Sequence, residues 1–326
     1  MHLASRSTPV ILMILAFALS ACGGTDEVND ASRRADGASG ADARPSVRLT
    51  APATPRPADA MLFSITGLEG PEAVKYDEEQ DVFFISNYGP NESEDAPDGY
   101  IARASVETGE ILERHFMTGP DATPLMEPRG MAIHGDELWV ADVRGVHAFD
   151  RHSGEHLRFV DLTDHDPGFL NDMAIGPDGA PYVTDTGRNQ VLRVVDGEGE
   201  VALTGEELGS PNGIALDRAT SELVFVIWGR DAPPFRRWNP ATGALTMGET
   251  TPGGRFDGVE FVGSQIVVAS QVDQAIHLVT DGTGVPIQAT EGRPADIAVD
   301  LRRLRVAVPY IALDRVDVFA LTEAGR

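Results

Sequence analysis

The sequence predicts an all-β chain folded as a six-bladed β-propeller with four-stranded blades. Three observations predict it. One short pattern recurs six times after residue 60. The spacing of the copies is close to the ~40–45 residues of a propeller blade. Each copy is rich in β-branched, alternating segments, and no long 3.6-residue apolar stripe appears beyond the first 20 residues.

The copies are "GPEAVKYDEEQDVFFISN" from Gly70, "EPRGMAIHGDELWVADV" from Glu127, "FLNDMAIGPDGAPYVTDT" from Phe169, "SPNGIALDRATSELVFVIW" from Ser210, "RFDGVEFVGSQIVVAS" from Arg255 and "RPADIAVDLRRLRVAVPY" from Arg293. Each reads as a turn bearing one polar residue, an apolar strand, a polar turn and a second strand. Aligned on the third residue, the anchors are Glu72, Arg129, Asn171, Asn212, Asp257 and Ala295, which lie 57, 42, 41, 45 and 38 residues apart. The long first interval holds "YGPNESEDAPDG", whose Pro, Gly and polar content marks a loop. Two more strands complete each unit, such as "VLRVVD" (191–196) and "EVALTG" (200–205). The last unit runs out of chain after "RVDVFAL", so the segment 61–66, "MLFSIT", is expected to supply its outermost strand and remove two exposed edges.

Residues 9–19, "PVILMILAFAL", behind Arg6, have the length of a signal h-region and are too short for a stable membrane span. They lead into "LSAC", which resembles a bacterial lipobox, with Cys22 as the lipidated residue. Cys22 is the only cysteine in the chain, so no internal disulfide can form. The expected organisation is a signal peptide over 1–21, a flexible Ala/Gly/Pro/Asp tether over 22–59 and a propeller over 60–326. Gly23 after the cysteine suits outer-membrane sorting, with the domain facing the periplasm. An ordinary secretory signal is the alternative. The net charge of −25, from 51 acidic and 26 basic side chains, argues against nucleic-acid binding and suits a protein that gathers cations. A monomer is expected.

In a propeller the innermost strands line the central channel, so the anchors should crowd one mouth of it. Glu72, Asn171, Asn212 and Asp257 then offer two carboxylates and two amide carbonyls. Such a hard-oxygen set suits Ca²⁺, with Zn²⁺ or Mn²⁺ as alternatives. Their oxygens should approach one point on the axis, beneath an open pocket. Turn formation is the competing account of any single anchor, because Asn-Gly and Asp-Gly are turn dipeptides.

"GPEAV", "LNDMAIGPDG", "SPNGIAL" and "FDGVEF" resemble, in order and spacing, the four metal-ligand motifs of the senescence-marker-protein/gluconolactonase (regucalcin-like) family. The resemblance implies a divalent ion held by Glu72, Asn171, Asn212 and Asp257, and hydrolysis of lactones or related esters, with Asp257 activating the water. Blades two and three are equally similar to NHL-type repeats, which leaves a second reading: a non-catalytic propeller that binds a protein or small ligand at the cell envelope.

Further candidates surround this set. Asp172 either orients Asn171 or a water, or caps a turn. Arg129 either clamps a substrate carboxylate or phosphoryl group, or pairs with Glu72. His165 is a candidate general base at the mouth. Trp228 and Arg230 are expected to line the substrate rim, with Arg236, Arg237 and Trp238 extending the same basic-aromatic patch. His152 and His156 have zinc-like spacing, but "HSGEH" reads as a hairpin turn between strands.

Overall fold

The computed structural model describes residues 47–91, 94–229 and 233–325. The expected signal peptide, Cys22 and the first part of the tether lie outside the described residues, as does Arg230.

The described chain forms six four-stranded antiparallel sheets, five of them from consecutive strands. Their innermost strands are Pro71–Asp77, Met131–His134, Leu170–Ile175, Pro211–Asp217, Phe256–Val262 and Ala298–Asp300. In blade six the outermost strand is Phe63–Thr66, which pairs antiparallel with Arg315–Ala320 in the register Phe63↔Val318 and Ile65↔Val316. The N-terminal strand therefore closes the last blade. The only helical segments among the described residues are three 3-10 turns.

Each interface between neighbouring blades holds its own apolar cluster. Phe83 and Ile85 pack with Ile65 and Val316 between blades six and one, whereas Phe84 points the other way, toward Val140 and Phe149 of blade two. This is strand alternation with both faces buried, and it explains why "VFFIS" reads as a continuous apolar run. Phe235 with Val268 and Tyr182 with Phe225 fill other seams in the same way.

One boundary differs from the sequence expectation. Residues 47–59, assigned by composition to the tether, are fixed to blades five and six. Leu49, 3% exposed, gives its N–H to Gln265 Oε1 (2.6 Å) and its carbonyl to Gln265 Nε2 (3.1 Å). Arg56 forms a parallel bridge with Gln288, flanked by Arg56 N to Ile287 O and Ala289 N to Arg56 O. Composition counts apolar residues, and here one buried leucine and a few backbone bonds suffice to hold the segment.

Candidate metal and active site

Four blades share a local irregularity where their inner strands begin. Pairing with the second strand breaks between Pro71 and Val74, Leu170 and Met173, Pro211 and Ile214, and Phe256 and Val259. Each break is a bulge spanning the anchor and the residue after it, and bulges re-aim side chains. The anchors at these breaks are Glu72, Asn171, Asn212 and Asp257. In blades two and six, which carry Arg129 and Ala295, the inner strand starts only at Met131 and Ala298. Second-strand hydroxyls satisfy N–H groups inside two bulges: Ala73 N donates to Ser86 Oγ (2.9 Å) and Asp172 N to Thr184 Oγ1 (3.1 Å).

The blades meet tightly around the axis. A Cβ on Gly213 would lie 2.1 Å from the Asp257 carbonyl oxygen, and one on Gly130 would lie 2.3 Å from Asp172 Oδ1. Only glycine allows these inner strands to close up so far. The four anchors that result are 1–5% exposed. Glu72 Oε2, Asn212 Oδ1 and Asp257 Oδ1 are buried without a hydrogen-bond partner. Other atoms of the set are held: Gln271 Nε2 donates to Asp257 Oδ2 (2.7 Å), and Asn171 Nδ2 donates to Thr186 Oγ1 (3.0 Å). Gln271 and Thr186 thus orient the set, although no sequence pattern marked them.

Leaving a buried oxygen without a donor costs about 1–3 kcal/mol. Three such oxygens on equivalent positions of three blades fit a hard cation. The two carboxylates and two amides make a hard-oxygen set rather than a nitrogen–sulfur one; among the described residues, no three His, Cys, Asp or Glu side chains form a metal-binding group. The electrostatics point the same way. Burial, and then the Asp257 charge, raise Glu72 well above the usual carboxylate range. Burial, and then the Asp172 charge, push Asp257 up to about 7.

Asp172 is a tie between blades. Its Oδ1 accepts the Met173 N–H (2.6 Å) and its Oδ2 the Ile214 N–H (2.7 Å), so both oxygens are engaged by backbone. It sets Asn171 and Asn212 relative to each other, and it is not free to act as an acid or base. Asp296 occupies the equivalent position in blade six, where Val74 N binds its carbonyl instead and Oδ2 is left without a partner. Deeper in the channel Lys75 Nζ meets Glu260 Oε1 at 2.9 Å. Burial disfavours the Lys75 ammonium, but Glu260, Asp296 and Asp172 together hold it above its ordinary value. Sequence reasoning missed Lys75, Glu260 and Asp296. Their signal was in the repeats: three residues past the anchor, Lys75 and Glu260 stand where the other blades have alanine.

Other candidates are placed differently from expectation. Arg129 makes ion pairs with Glu127 and Glu94, both at 2.9 Å, and its guanidinium lies 3.8 Å over the Phe169 ring; no ion pair with Glu72 forms among the described residues. His165 bonds the Gly199 carbonyl (2.8 Å) on the outermost strand of blade three, which turns it from the axis and removes it as a general base at the mouth. The expected basic patch is not a rim. Arg236 and Trp238 are buried, and Arg237 pairs with Asp217, Glu222 and Glu249, because all three lie within the strand Phe235–Trp238. Trp228 is half-buried at the end of the strand Glu222–Ile227, with the Arg255 guanidinium 5.5 Å from its ring. His152 lies in the expected turn and pairs with Asp136, while His156 contacts His147.

A cavity of about 740 Å³ opens at the mouth opposite the anchors, between Lys75, Glu260, Ala132, Ala174, Ala215 and the turns around them.

The fold and this axial ring define a six-bladed propeller with a buried, oxygen-rich channel mouth. The SMP-30/Gluconolactonase/LRE-like region matches residues 71–243, a little over half of the chain, and the chain belongs to that family. The matched region contains Glu72, Asn171 and Asn212, and Asp257 lies beyond it. A comparison with curated proteins gave no match. Among solved structures, a gluconolactonase from Xanthomonas campestris is 16% identical with a TM-score of 0.62, covering 86% of this chain and 99% of its own. A streptogramin B lyase is 16% identical with a TM-score of 0.58, covering 80% and 97%. The virginiamycin B lyase of Staphylococcus aureus is 13% identical with a TM-score of 0.56, covering 79% and 98%. Likeness at this identity is likeness of fold.

Proposed function

We propose that this chain is a divalent-metal-dependent hydrolase of lactones or related esters. The observation that carries the reading is the trio of unpartnered buried oxygens, Glu72 Oε2, Asn212 Oδ1 and Asp257 Oδ1, on the bulged anchors of a chain in this family. With Asn171 they would hold the ion, and Ca²⁺ suits them best. A bound ion supplies Lewis-acid polarisation of the ester carbonyl and stabilises the negative charge that develops on its oxygen. Asp257, steadied through Oδ2 by Gln271, presents Oδ1 to take a proton from the attacking water. The acyl C–O bond then breaks, the leaving oxygen takes the proton from Asp257, and the products are an alcohol and a carboxylic acid that ionises to solvent. Asn171 and Asn212 are held in register by the Asp172 tie, so the geometry is set before substrate arrives.

Lactone and aryl-ester hydrolysis should be followed in a pH-stat with and without chelator. Turnover that survives both chelation and Asp257→Ala rules this reading out. A second reading, a binding propeller without catalysis, is favoured by one observation: the large cavity lies at the mouth away from the anchors. It predicts ligand-induced thermal stabilisation without turnover.

Attachment to the outer membrane through lipidated Cys22, facing the periplasm, is part of the same proposal and rests on "LSAC" followed by Gly23. Metabolic labelling with an alkynyl fatty acid, lost in Cys22→Ser, tests it.

A further inference from the structure

The insertion of blade one, which lengthens the first repeat interval, sends Glu94 to the channel mouth. Glu94 Oε1 lies 2.9 Å from Arg129 Nη2. Arg129 is also held by Glu127 Oε2 on Nη2 at 2.9 Å, by the Leu170 carbonyl on Nη1 at 2.9 Å, by the Phe169 ring, and by the Tyr88 side chain of blade one. These partners differ in how firmly they are fixed. The Arg129 side chain is 1% exposed and that of Glu127 10%, whereas that of Glu94 is 54% exposed. Solvent screens so exposed a carboxylate and holds it loosely, which makes Glu94 the exchangeable partner.

The donor pattern shows what would replace it. Arg129 Nε is buried without a hydrogen-bond partner. Nε and Nη2 share one edge of the guanidinium plane, the edge that a carboxylate engages with two parallel bonds. Glu94 accepts from Nη2 alone. Charge gives the same answer. Glu94 brings one negative charge to Arg129. A ligand carrying one carboxylate exchanges for it with no net change.

We propose that Glu94 holds the place of a substrate carboxylate, so that Arg129 is an anion subsite and the preferred lactones carry a free carboxylate beside the ring. This rests on the hydrolase reading above and adds the substrate class. Arg129 is a specificity-determining residue in this scheme, and the ester itself is left to Asp257.

The test compares γ-butyrolactone with the same ring bearing a carboxylate on its γ carbon, using the full chain and its Glu94→Gln variant. The ratio of kcat/KM for the carboxylated over the neutral lactone should rise about fivefold in Glu94→Gln, equivalent to about 1 kcal/mol. The rise should appear in KM. Glu107→Gln, which removes a charge from a distant exposed acid, controls for net charge. An unchanged ratio in Glu94→Gln, or an equal rise in Glu107→Gln, overturns the proposal. Calorimetric titration with glutarate reads the subsite without turnover: Glu94→Gln should bind it more tightly than the parent, and Arg129→Lys, which keeps the charge but loses the fork, more weakly. Glutarate binding in this pattern without hydrolysis of either lactone supports the anion subsite and removes the hydrolase reading alone. Equal glutarate binding by all three proteins overturns the subsite.

Discussion

Gln271 Nε2 donates to Asp257 Oδ2 at 2.7 Å, leaving Asp257 Oδ1 as the one oxygen of that carboxylate without a partner. The amide thereby decides which oxygen faces the ring of anchors. Gln271→Ala should lower lactone hydrolysis by ~10- to 100-fold, the range seen when the partner of a metal-binding residue is removed. A pH-stat assay checks this, and retained fold by circular dichroism separates it from collapse.

Removing a ligand should remove a stabilising ligand effect. At Ca²⁺ near 100 times Kd, binding to the native state adds about 2.7 kcal/mol. Scanning calorimetry should show a rise in Tm with Ca²⁺ for the parent chain. Asp257→Asn and Glu72→Gln should abolish that rise. A Tm indifferent to Ca²⁺, Zn²⁺ and Mn²⁺ in the parent would dispose of the metal site.

Asp257 also predicts a pH dependence for the metal-free protein. Its folded value, about 7, lies above the 3.8 of an ordinary aspartate, so between these values the folded state holds more protons than the unfolded state. Unfolding free energy must then fall as pH rises from about 4 to about 7, with full stability below that window. Urea titrations in excess chelator should show the decline, and Asp257→Asn should make it shallower, with Glu72, raised by the same burial, supplying the rest.

Asp172 should matter to stability before it matters to chemistry. Asp172→Ala strands the buried Ile214 N–H and should cost about 1–3 kcal/mol in a urea melt. Asp172→Asn keeps one acceptor and should cost less. If the alanine variant unfolds like the parent, the tie between blades three and four carries no weight.

The blade period was legible because each turn, strand and anchor repeats six times and both faces of the middle strands are apolar. The gathering of Glu72, Asn171, Asn212 and Asp257 followed from that alignment alone. The bulges that aim them did not, since a register break between strands leaves no fixed residue signature. His165 was misplaced because a loop between blades can face the axis or the rim with the same residues. Arg129 was placed at the mouth, but its partner lay in an insertion that no other repeat supplies. The Arg236–Trp238 patch read as a rim because basic and aromatic residues cluster there, whereas strand alternation buries two of them.

The closure of blade six has a consequence for synthesis. Phe63–Thr66 is translated before any of the five blades that separate it from its partner, and Arg315–Ala320 only after all of them. The ring therefore cannot be sealed until the final strands emerge, and until then the early strand waits unpaired beside a growing row of blades. Quality control acting on this chain would meet an open arc, and a message cut short before Arg315 would yield five sound blades with no way to join their ends.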